Sequence, residues 1–549
     1  MSKPIECTIP ELVEKCANID RIAAIFDSEK ETYTFGKIYN EVNSFAAGLL
    51  SSGLEAKDRI LICGSNCAQL FISALACARA SLLFSLMNPN FTSSQQLQYA
   101  LFTGEYKAII CFSANKENEL LHNLLIEIAP ELRTSAKGHV NSKALPKLTH
   151  VIMAEEEHKH AGTFTLSEIY GRSNRERLEK LHKITNGNPH EIAALQFTTG
   201  VSGEPKLVAL SHYQLINGCQ SAAEGIGIRK EAVIYRKILL DTFSCALPMF
   251  KIAVFSLVGL LPFVVGTRVI FPSPSPLPKF LFNSVNTYQC THLLTNAVAL
   301  RLIMKIVVAQ KVQLPSITTV ILAGERVPAE LLENIGTHLR SVKNIVSTYM
   351  LTETASMPIM TNDNSLLTTT IGSPLPMFQI EIAPCGIAET SNEEPVGVLR
   401  IKPVNGSKFI GYGPNFDQNS EWIDTGDVVK LNRSGAISLI ANKGDLIFTS
   451  SGKLVKHWII EKTLCLCDFI KGAQVVKVTK DSPLTAVVVL KSNSVDRFQI
   501  KAELQAICKN NKLDIPEKFA FVTELPRINT KIQKYRLRQM IESNNLDLI

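Results

Sequence analysis

The chain has 549 residues, of which 46% are hydrophobic and 19% are charged, and its formal net charge is +7. This length exceeds what a single core organises, so two or more domains are predicted, and the composition excludes a disordered protein. The mild positive charge contains no block of lysines and arginines, which argues against nucleic acid as a partner and suits a small anionic ligand.

The two ends of the chain and its cysteines bear on the cell compartment. The first residues contain neither a secretory signal core nor an arginine-rich transit peptide, and the last three are not a peroxisomal signal. Thirteen scattered cysteines favour reduced, buried thiols over disulfides or a metal site. We therefore expect a cytoplasmic protein.

The first half of the chain alternates short apolar runs with amphipathic segments. Strands are predicted at 59–63 and 83–87, with helices over 33–50 and 67–82. This alternation predicts α/β layers with largely parallel sheets. The polar ranges 113–146 and 154–190 are predicted to be solvated surface and loop.

A phosphate-binding loop is the main functional candidate. Two apolar runs, 192–195 and 207–210, flank it and predict a strand, a mobile loop, and then a strand or helix start. Its candidate ligands share small size, a hydroxyl or a positive charge, and they are Thr198, Thr199, Gly200, Ser202, Gly203 and Lys206. Such residues offer backbone N–H groups, hydroxyls and an ammonium to phosphate oxygens, although the alternative is an ordinary surface turn.

The second half continues with strand-to-loop units and then changes character. Strand-to-loop units are predicted at 292–295 and 318–325 and a strand at 345–349, and from residue 397 strands and turns dominate. The apolar run 252–266 is too short to span a membrane and is predicted to be a buried core helix, with peripheral membrane contact as the alternative. A polar segment at 442–445 predicts a hinge between an N-terminal domain, 1–441, and a small α+β domain, 442–549.

The loop T-T-G-V-S-G-E-P-K resembles the nucleotide loop of the adenylate-forming superfamily, which comprises acyl- and aryl-CoA synthetases, luciferases and peptide-synthetase adenylation domains. Further segments match the superfamily in the same order along the chain: 321–328, 347–354, 371–376, 421–427 and 525–538. The likeness is greatest to the medium-chain fatty acyl-CoA synthetases, through Gln196-Phe-Thr, Leu247-Pro-Met-Phe250 and the segment 531–538.

The resemblance implies a role for each matching residue. The loop would bind the β- and γ-phosphates of ATP, Gly324 and Tyr349 would lie beside adenine, and Asp427 would accept hydrogen bonds from the ribose hydroxyls. Thr352 would lie near the phosphates, Glu353 would bind Mg²⁺, and Lys531 would bridge the substrate carboxylate and the α-phosphate. The residues expected at the acyl pocket are Phe250, Lys251 and Met350.

The activity implied is an AMP-forming acid–CoA ligase that uses ATP, Mg²⁺ and CoA to activate a carboxylic acid. The expected substrate is a fatty acid. Several positions depart from the family pattern. Asn442 replaces an arginine near the ribose, Gly444 replaces a charged hinge residue, and the thiolation segment reads Ser450-Ser-Gly-Lys-Leu-Val-Lys456 without its two leading glycines. Two alternatives therefore stay open: a catalytically weak relative that binds nucleotide or acyl ligand, and an adenylate-former with an acceptor other than CoA.

Overall fold

The structure is a computed structural model. It describes the following residues: 2–91, 93–112, 120–183, 187–199, 203–228, 241–275, 277–324, 327–385, 394–416, 420–491, 496–528 and 531–549. Contacts divide the chain into two compact units. The first unit holds Met1–Phe197, Leu207–Ile380 and Ile401–Ile423, and the second holds Thr198–Lys206, Glu381–Arg400 and Asp424–Ile549. The predicted domains 1–441 and 442–549 with a hinge at 442–445 stay a prediction.

The helices are, in chain order, α1 (Ile9–Cys16), α2 (Phe35–Ser51), α3 (Ala68–Arg79), α4 (Ser94–Thr103), α5 (Leu120–Ile128), α6 (Leu166–Gly171), α7 (Arg175–Lys183), α8 (His212–Ile226), α9 (Ile252–Val254), α10 (Leu260–Val265), α11 (Pro278–Thr287), α12 (Ala297–Gln310), α13 (Ala329–His338), α14 (His457–Leu464), α15 (Arg497–Asn510) and α16 (Lys534–Glu542).

The strands are β1 (Ile22–Phe26), β2 (Glu31–Thr34), β3 (Arg59–Cys63), β4 (Leu83–Met87), β5 (Ala108–Cys111), β6 (His150–Met153), β7 (Thr163–Thr165), β8 (Ile192–Phe197), β9 (Leu207–Ser211), β10 (Thr242–Cys245), β11 (Arg268–Phe271), β12 (His292–Thr295), β13 (Thr319–Ala323), β14 (Asn344–Leu351), β15 (Ser356–Thr361), β16 (Ser373–Pro374), β17 (Phe378–Ala383), β18 (Val396–Pro403), β19 (Ile423–Leu431), β20 (Ile437–Asn442), β21 (Ile447–Phe448), β22 (Leu454–Val455), β23 (Ile470–Val476), β24 (Thr485–Leu490), β25 (Lys518–Val522), β26 (Arg527–Ile528) and β27 (Lys531–Ile532).

Two large sheets organise the first unit. One has the order β16-β15-β14-β13-β12-β10-β11-β1-β2, and the other has the order β7-β6-β5-β3-β4-β8-β9. The central strands of both sheets pair in parallel, and the antiparallel pairs lie towards the sheet edges. Short apolar strands such as Arg59–Cys63 form buried runs because helices cover a parallel sheet. The predicted α/β architecture with largely parallel sheets is confirmed.

One face of the nine-stranded sheet is covered by three consecutive crossover helices. Leu281 of α11, Leu300 of α12 and Leu331 of α13 share a single buried cluster with the strand residues Leu293 and Val320. Each of these helices connects two parallel strands, so each runs opposite to the strands and begins at their carboxyl ends.

The prediction of loop for the polar ranges 113–146 and 154–190 is wrong in the described parts that form α5, β7, α6 and α7. In α5 the residues Leu121, Leu124 and Leu125 recur at helical spacing and are buried. Charged neighbours on both sides masked this short apolar pattern, because composition over a long window says little about one nine-residue helix.

The apolar run 252–266 forms the buried core helix that the sequence predicted. It consists of α9, a π-helical turn at Phe255–Gly259 and α10, and all residues from 252 to 265 are buried. Among the described residues, no helix is long and apolar enough to cross a membrane.

The second unit contains a four-stranded sheet, β17-β18-β19-β20, and a three-stranded sheet, β23-β24-β25. Helices α14 and α15 pack on the three-stranded sheet through Ile460, Leu464, Ile500 and Leu504. The hairpin β26–β27 and α16 complete this unit. The α+β character predicted for the end of the chain is confirmed.

Two ion pairs attach α16 to the rest of the second unit. Lys534 Nζ lies 2.5 Å from Glu461 Oε1 of α14, and both side chains are largely buried. Val475 N–H also donates to Glu461 Oε1, at 2.9 Å. Burial raises the pKa of Glu461, although Lys534 opposes this rise. Arg538 lies 3.3 Å from Asp445, which closes the helical turn Lys443–Asp445.

We expect Lys534→Ala to lower the free energy of unfolding of the second unit by about 3 kcal/mol, because it leaves Glu461 buried without its counter-charge. Urea unfolding followed by the fluorescence of Trp458, in a Trp422→Phe background, measures this change. Lys462→Ala, on the exposed face of α14, is the matched control and should unfold near the wild-type midpoint. Equal midpoints for the two variants would show that the ion pair between Lys534 and Glu461 does not stabilise the second unit.

Candidate nucleotide and acyl site

The predicted phosphate loop connects two antiparallel strands. Phe197 at the end of β8 pairs with Leu207 at the start of β9. Inside the loop, Thr198 N–H donates to the Lys206 carbonyl at 2.9 Å, and Lys206 N–H donates to Thr198 Oγ1 at 3.0 Å. These two bonds close the base of the loop, so that Thr198 and Lys206 lie side by side.

The tip of the loop is only partly described. Thr199 and Lys206 are exposed, and no described atom lies within 4 Å of a side-chain carbon built on Gly203. Gly200 and Ser202 lie outside the described residues. The strand following the loop resolves the alternative left open by the sequence, because residues 207–211 form β9 rather than a helix start.

Gly324 and Tyr349 lie at the carboxyl edge of the parallel strands of the nine-stranded sheet: Gly324 follows β13, and Tyr349 lies in β14 just beyond its pairing with β13. Ala323 of β13 pairs with Thr348 of β14, so the next residue of each strand lies beside the other. Gly324 has a φ of +91°, a conformation that a side chain would strain. Ligands of open α/β sheets bind at this edge, and the place of adenine beside these two residues stays a prediction.

Met350 follows directly, at an irregularity in the pairing of β14 with β15. The register shifts between Tyr349 and Leu351, and such a bulge redirects the side chain at that point. Met350 Cε lies 3.7 Å from the place of a side-chain carbon on Gly324. The half-buried Met350 side chain therefore lies against Gly324, which directly follows the neighbouring strand β13.

Glu353 lies in a tight helical turn, Thr352–Thr354, immediately after β14. Its side chain is 7% exposed, whereas the sequence gave no reason to expect burial. Tyr412 donates its phenolic hydrogen to Glu353 Oε1 at 2.9 Å. A buried carboxylate that accepts such a bond is held in one orientation.

Tyr412 was not predicted from the sequence, and the structure shows how the chain positions it. The segment containing it lies along β9: Tyr412 forms an antiparallel bridge with Val208, and Gly413 N–H donates to the Leu207 carbonyl at 2.7 Å. The only sequence signal is a tyrosine between two glycines, Gly411 and Gly413, which gives no indication of its partner strand.

Glu353 is suited to bind Mg²⁺ together with the phosphates of a nucleotide. Mg²⁺ prefers oxygen ligands and usually takes one or two protein carboxylates, completing its shell with water and substrate phosphates. Among the described residues, no group of three or more His, Cys, Asp or Glu side chains could hold a metal by itself. One fixed carboxylate therefore fits an ion that is bound with its nucleotide.

Two polar side chains tie down the predicted acyl-pocket segment. Asn66 is buried, donates to the Leu247 carbonyl at 2.8 Å and accepts from Met249 N–H at 2.7 Å. Gln196 donates to the Phe250 carbonyl at 3.3 Å. Phe250 and Lys251 are both half-buried, and Lys251 precedes the buried helix α9.

In the second unit, Asp427 lies on β19 opposite Asn442 of β20. Asn442 Nδ2 donates to Asp427 Oδ1 at 3.4 Å, and Asn442 Oδ1 accepts from Gly444 N–H at 3.0 Å. The asparagine that replaces the family arginine thus connects the predicted ribose ligand with the turn at 443–445.

Lys531 begins β27, and its backbone pairs with Ile528 of β26. Its side chain lies outside the described part of the chain. Lys534, the neighbouring candidate, is committed to the ion pair with Glu461. The assignment of the catalytic role to Lys531 rather than Lys534 therefore stays the better prediction.

The mainly parallel α/β sheets, the loop between β8 and β9 and the Glu353 carboxylate fixed by Tyr412 agree with the class of adenylate-forming enzymes. A family model described as AMP-binding enzyme matches residues 13–404, which is most of the chain. The chain belongs to the AMP-binding enzyme family.

Comparison with individual proteins agrees with this family. The mitochondrial medium-chain acyl-CoA ligase ACSF2 of Danio rerio is 26% identical over 547 residues, covering 95% of this chain and 86% of that protein. The fold matches that of the anthranilate CoA ligase AuaEII in complex with anthranoyl-AMP, with a TM-score of 0.75, 17% identity and coverage of 99% and 98%. It also matches the O-succinylbenzoate CoA synthetase MenE of Bacillus subtilis with ATP and magnesium ion, with a TM-score of 0.71, 21% identity and coverage of 97% and 99%.

These comparisons confirm three predictions from the sequence: the adenylate-forming superfamily, the α/β fold and an AMP-forming acyl-CoA synthetase. The roles of individual residues are not tested by them and stay predictions.

We expect Tyr412→Phe to weaken the binding of MgATP about tenfold and to leave the binding of metal-free ATP nearly unchanged. The phenol hydrogen bond to a charged group contributes roughly 1.5–3 kcal/mol, and its loss frees the Glu353 carboxylate to rotate. Isothermal titration calorimetry with and without Mg²⁺ measures both affinities. Tyr213→Phe, which removes a hydroxyl bonded to the Asn405 carbonyl, is the control. An equal loss of affinity for MgATP and for metal-free ATP would show that Tyr412 acts only on folding.

Proposed function

We propose that this protein is an ATP-dependent acid–CoA ligase that activates a carboxylic acid through an acyl-adenylate and passes the acyl group to CoA. The observation that carries the proposal is the buried Glu353 carboxylate, held by Tyr412 at the carboxyl edge of the sheet in a chain of the AMP-binding enzyme family. The relatives named medium-chain acyl-CoA ligase support a fatty acid as the substrate.

The first half-reaction makes a poor electrophile reactive. A carboxylate oxygen forms a bond to the α-phosphorus of ATP, and the bond from that phosphorus to pyrophosphate breaks. Thr198, Thr199, Ser202 and the backbone of the loop would donate hydrogen bonds to the β- and γ-phosphates, and Lys206 would add a positive charge. When bound, Mg²⁺ neutralises part of the phosphate charge.

The remaining predicted residues orient the two substrates. Tyr349 lies beside Gly324 at the sheet edge, a place that suits a flat base against backbone. Asp427 would accept hydrogen bonds from the ribose hydroxyls, because one carboxylate can accept two. Thr352 starts the turn that holds Glu353, and Lys531 would stabilise the charge that builds between carboxylate and α-phosphate.

In the second half-reaction the CoA thiol loses its proton, its sulfur forms a bond to the acyl carbon, and the bond from that carbon to AMP breaks. The thiolation segment contains one turn with a positive φ, at Gly452, where φ is +85°. Ser450 and Ser451 do not adopt positive φ. The serines that replace the family glycines are therefore unstrained in this conformation.

A second candidate is a protein that forms the adenylate and transfers it slowly to CoA, or transfers it to another acceptor. The observation in its favour is Asn442, whose neutral amide contacts Asp427 where the family pattern has an arginine. An amide cannot supply the positive charge of a guanidinium near the phosphates.

A panel of carboxylic acids, scored for pyrophosphate release with and without CoA, separates these candidates. We expect that pyrophosphate release by the wild type depends on a fatty acid and that CoA accelerates this release. The Lys531→Ala variant should release pyrophosphate about a hundredfold more slowly, with an unchanged melting temperature. Lys501→Ala is the matched control from the same unit. CoA-independent release with adenylate accumulating on the enzyme would favour the second candidate. If no acid in the panel supports pyrophosphate release, the ligase proposal is refuted.

Met350 is expected to limit the length of the acid. Its side chain adds four heavy atoms where the family has a glycine, and overfilling a packed site costs about 1–3 kcal/mol. Met350→Gly should therefore raise kcat/KM for longer acids and leave the value for acetate unchanged. A chain-length series with the wild type and the variant measures this. Identical profiles would show that Met350 points away from the acid.

The proposal includes a cytoplasmic location, which rests on the sequence expectation. The named ACSF2 relatives are mitochondrial, so imaging of the full-length chain with a C-terminal fluorescent tag is the direct test. Co-localisation with a mitochondrial marker would overturn this part of the proposal alone.

A further inference from the structure

Exposed apolar side chains concentrate on two neighbouring helices. Of the thirteen large hydrophobic side chains that are exposed among the described residues, five fall in the short range 277–308. They are Leu277, Phe280, Val298, Leu302 and Val308, with exposed fractions of 52%, 42%, 56%, 37% and 51%. Single exposed apolar residues are ordinary, but this concentration needs an explanation.

The fold places four of these side chains near the carboxyl edge of the nine-stranded sheet. Helices α11 and α12 pack against each other on the same face of the nine-stranded sheet, and both begin at the carboxyl ends of parallel strands. Leu277 and Phe280 lie at the start of α11, and Val298 and Leu302 lie in the first half of α12. The outer surface at the beginning of both helices is therefore apolar.

The same surface is basic. From residue 242 to residue 324 the chain contains no aspartate or glutamate, and it contains six lysines or arginines. Four of them belong to or directly follow these helices: Lys279, Arg301, Lys305 and Lys311. Acidic side chains on neighbouring elements include Glu330 and Glu333 of α13, Asp27, which accepts from Tyr288 just after α11, and Asp241, which lies 3.9 Å from His292 of β12.

We propose that the outer face of α11 and α12, centred on Phe280 and Leu302, docks onto a membrane surface that contains anionic lipid. Apolar side chains that project between basic ones suit this partner, because the rings and alkyl groups enter the acyl boundary while the lysines reach the phosphates. A second copy of the chain fits this face poorly, since a symmetric contact would bring its cations against the same cations.

Docking would have a use if the proposed function holds. The beginnings of α11 and α12 lie at the same edge of the sheet as Gly324 and Tyr349, because α11, α12 and Gly324 each follow a parallel strand and Tyr349 lies just beyond the parallel pairing of β14. A fatty acid concentrates in a bilayer rather than in water, so docking brings that edge to the source of the substrate. The docking proposal itself does not depend on catalysis.

The test is co-sedimentation of the full-length chain, without ATP or acid, with vesicles of phosphatidylcholine mixed with phosphatidylserine. Vesicles of phosphatidylcholine alone form the second arm. We expect binding to the mixed vesicles that weakens as salt rises, and much weaker binding to the neutral ones. Phe280→Ser with Leu302→Ser, and separately Lys279→Glu with Lys305→Glu, should each reduce the partition coefficient at least tenfold.

A control variant replaces two phenylalanines elsewhere that are more exposed than Phe280 and Leu302, with Phe102→Ser and Phe498→Ser, and should bind like the wild type. Circular-dichroism melting verifies that each variant is folded. The proposal is overturned if wild type does not bind the mixed vesicles, or if both double variants bind as well as the control. It is equally overturned if the wild type forms a dimer that the Phe280 and Leu302 replacements dissociate and binds no vesicle.

Discussion

The parallel pairing of β12, β13 and β14 is the constraint on which the candidate site depends. Parallel strands end at a common edge, and the register of Ala323 with Thr348 puts Gly324 beside Tyr349. The turn that carries Glu353 follows β14 directly. Because crossover helices cover both sides of such a sheet, this edge is where backbone and polar side chains can meet a ligand.

The hydrogen bond from Tyr412 determines the orientation of the Glu353 carboxylate. The segment that contains Tyr412 adds to β9, the strand that begins one residue after Lys206. Backbone hydrogen bonds to Leu207 and Ala209 fix its register, and the phenol then reaches Glu353. The strand that leaves the phosphate loop thus also supports the residue that orients the candidate metal ligand.

In the second unit, two ion pairs and the hydrogen bonds of Asn442 connect the functional candidates. Arg538 of α16 pairs with Asp445 of the turn at 443–445, and Lys534 pairs with Glu461. Asn442 joins that turn to Asp427. The predicted hinge, the predicted ribose ligand and the helix that follows Lys531 therefore belong to one set of contacts, so a change at Asn442 or Asp445 acts on more than the hinge.

The sequence by itself determined the class of fold, the place of the loop at 198–206, the buried helix at 252–265 and the order of the candidate residues, because each depends on local pattern. Apolar runs, helical spacing and the T-T-G-V-S-G-E-P-K motif are readable within a few residues of the chain. Tertiary structure alone decided the burial of Glu353, its bond from Tyr412, the ion pair that occupies Lys534 and the common level of Phe280 and Leu302. The last three of these join residues 59, 73 and 22 positions apart, and only the register of strands and the packing of helices brings such residues together.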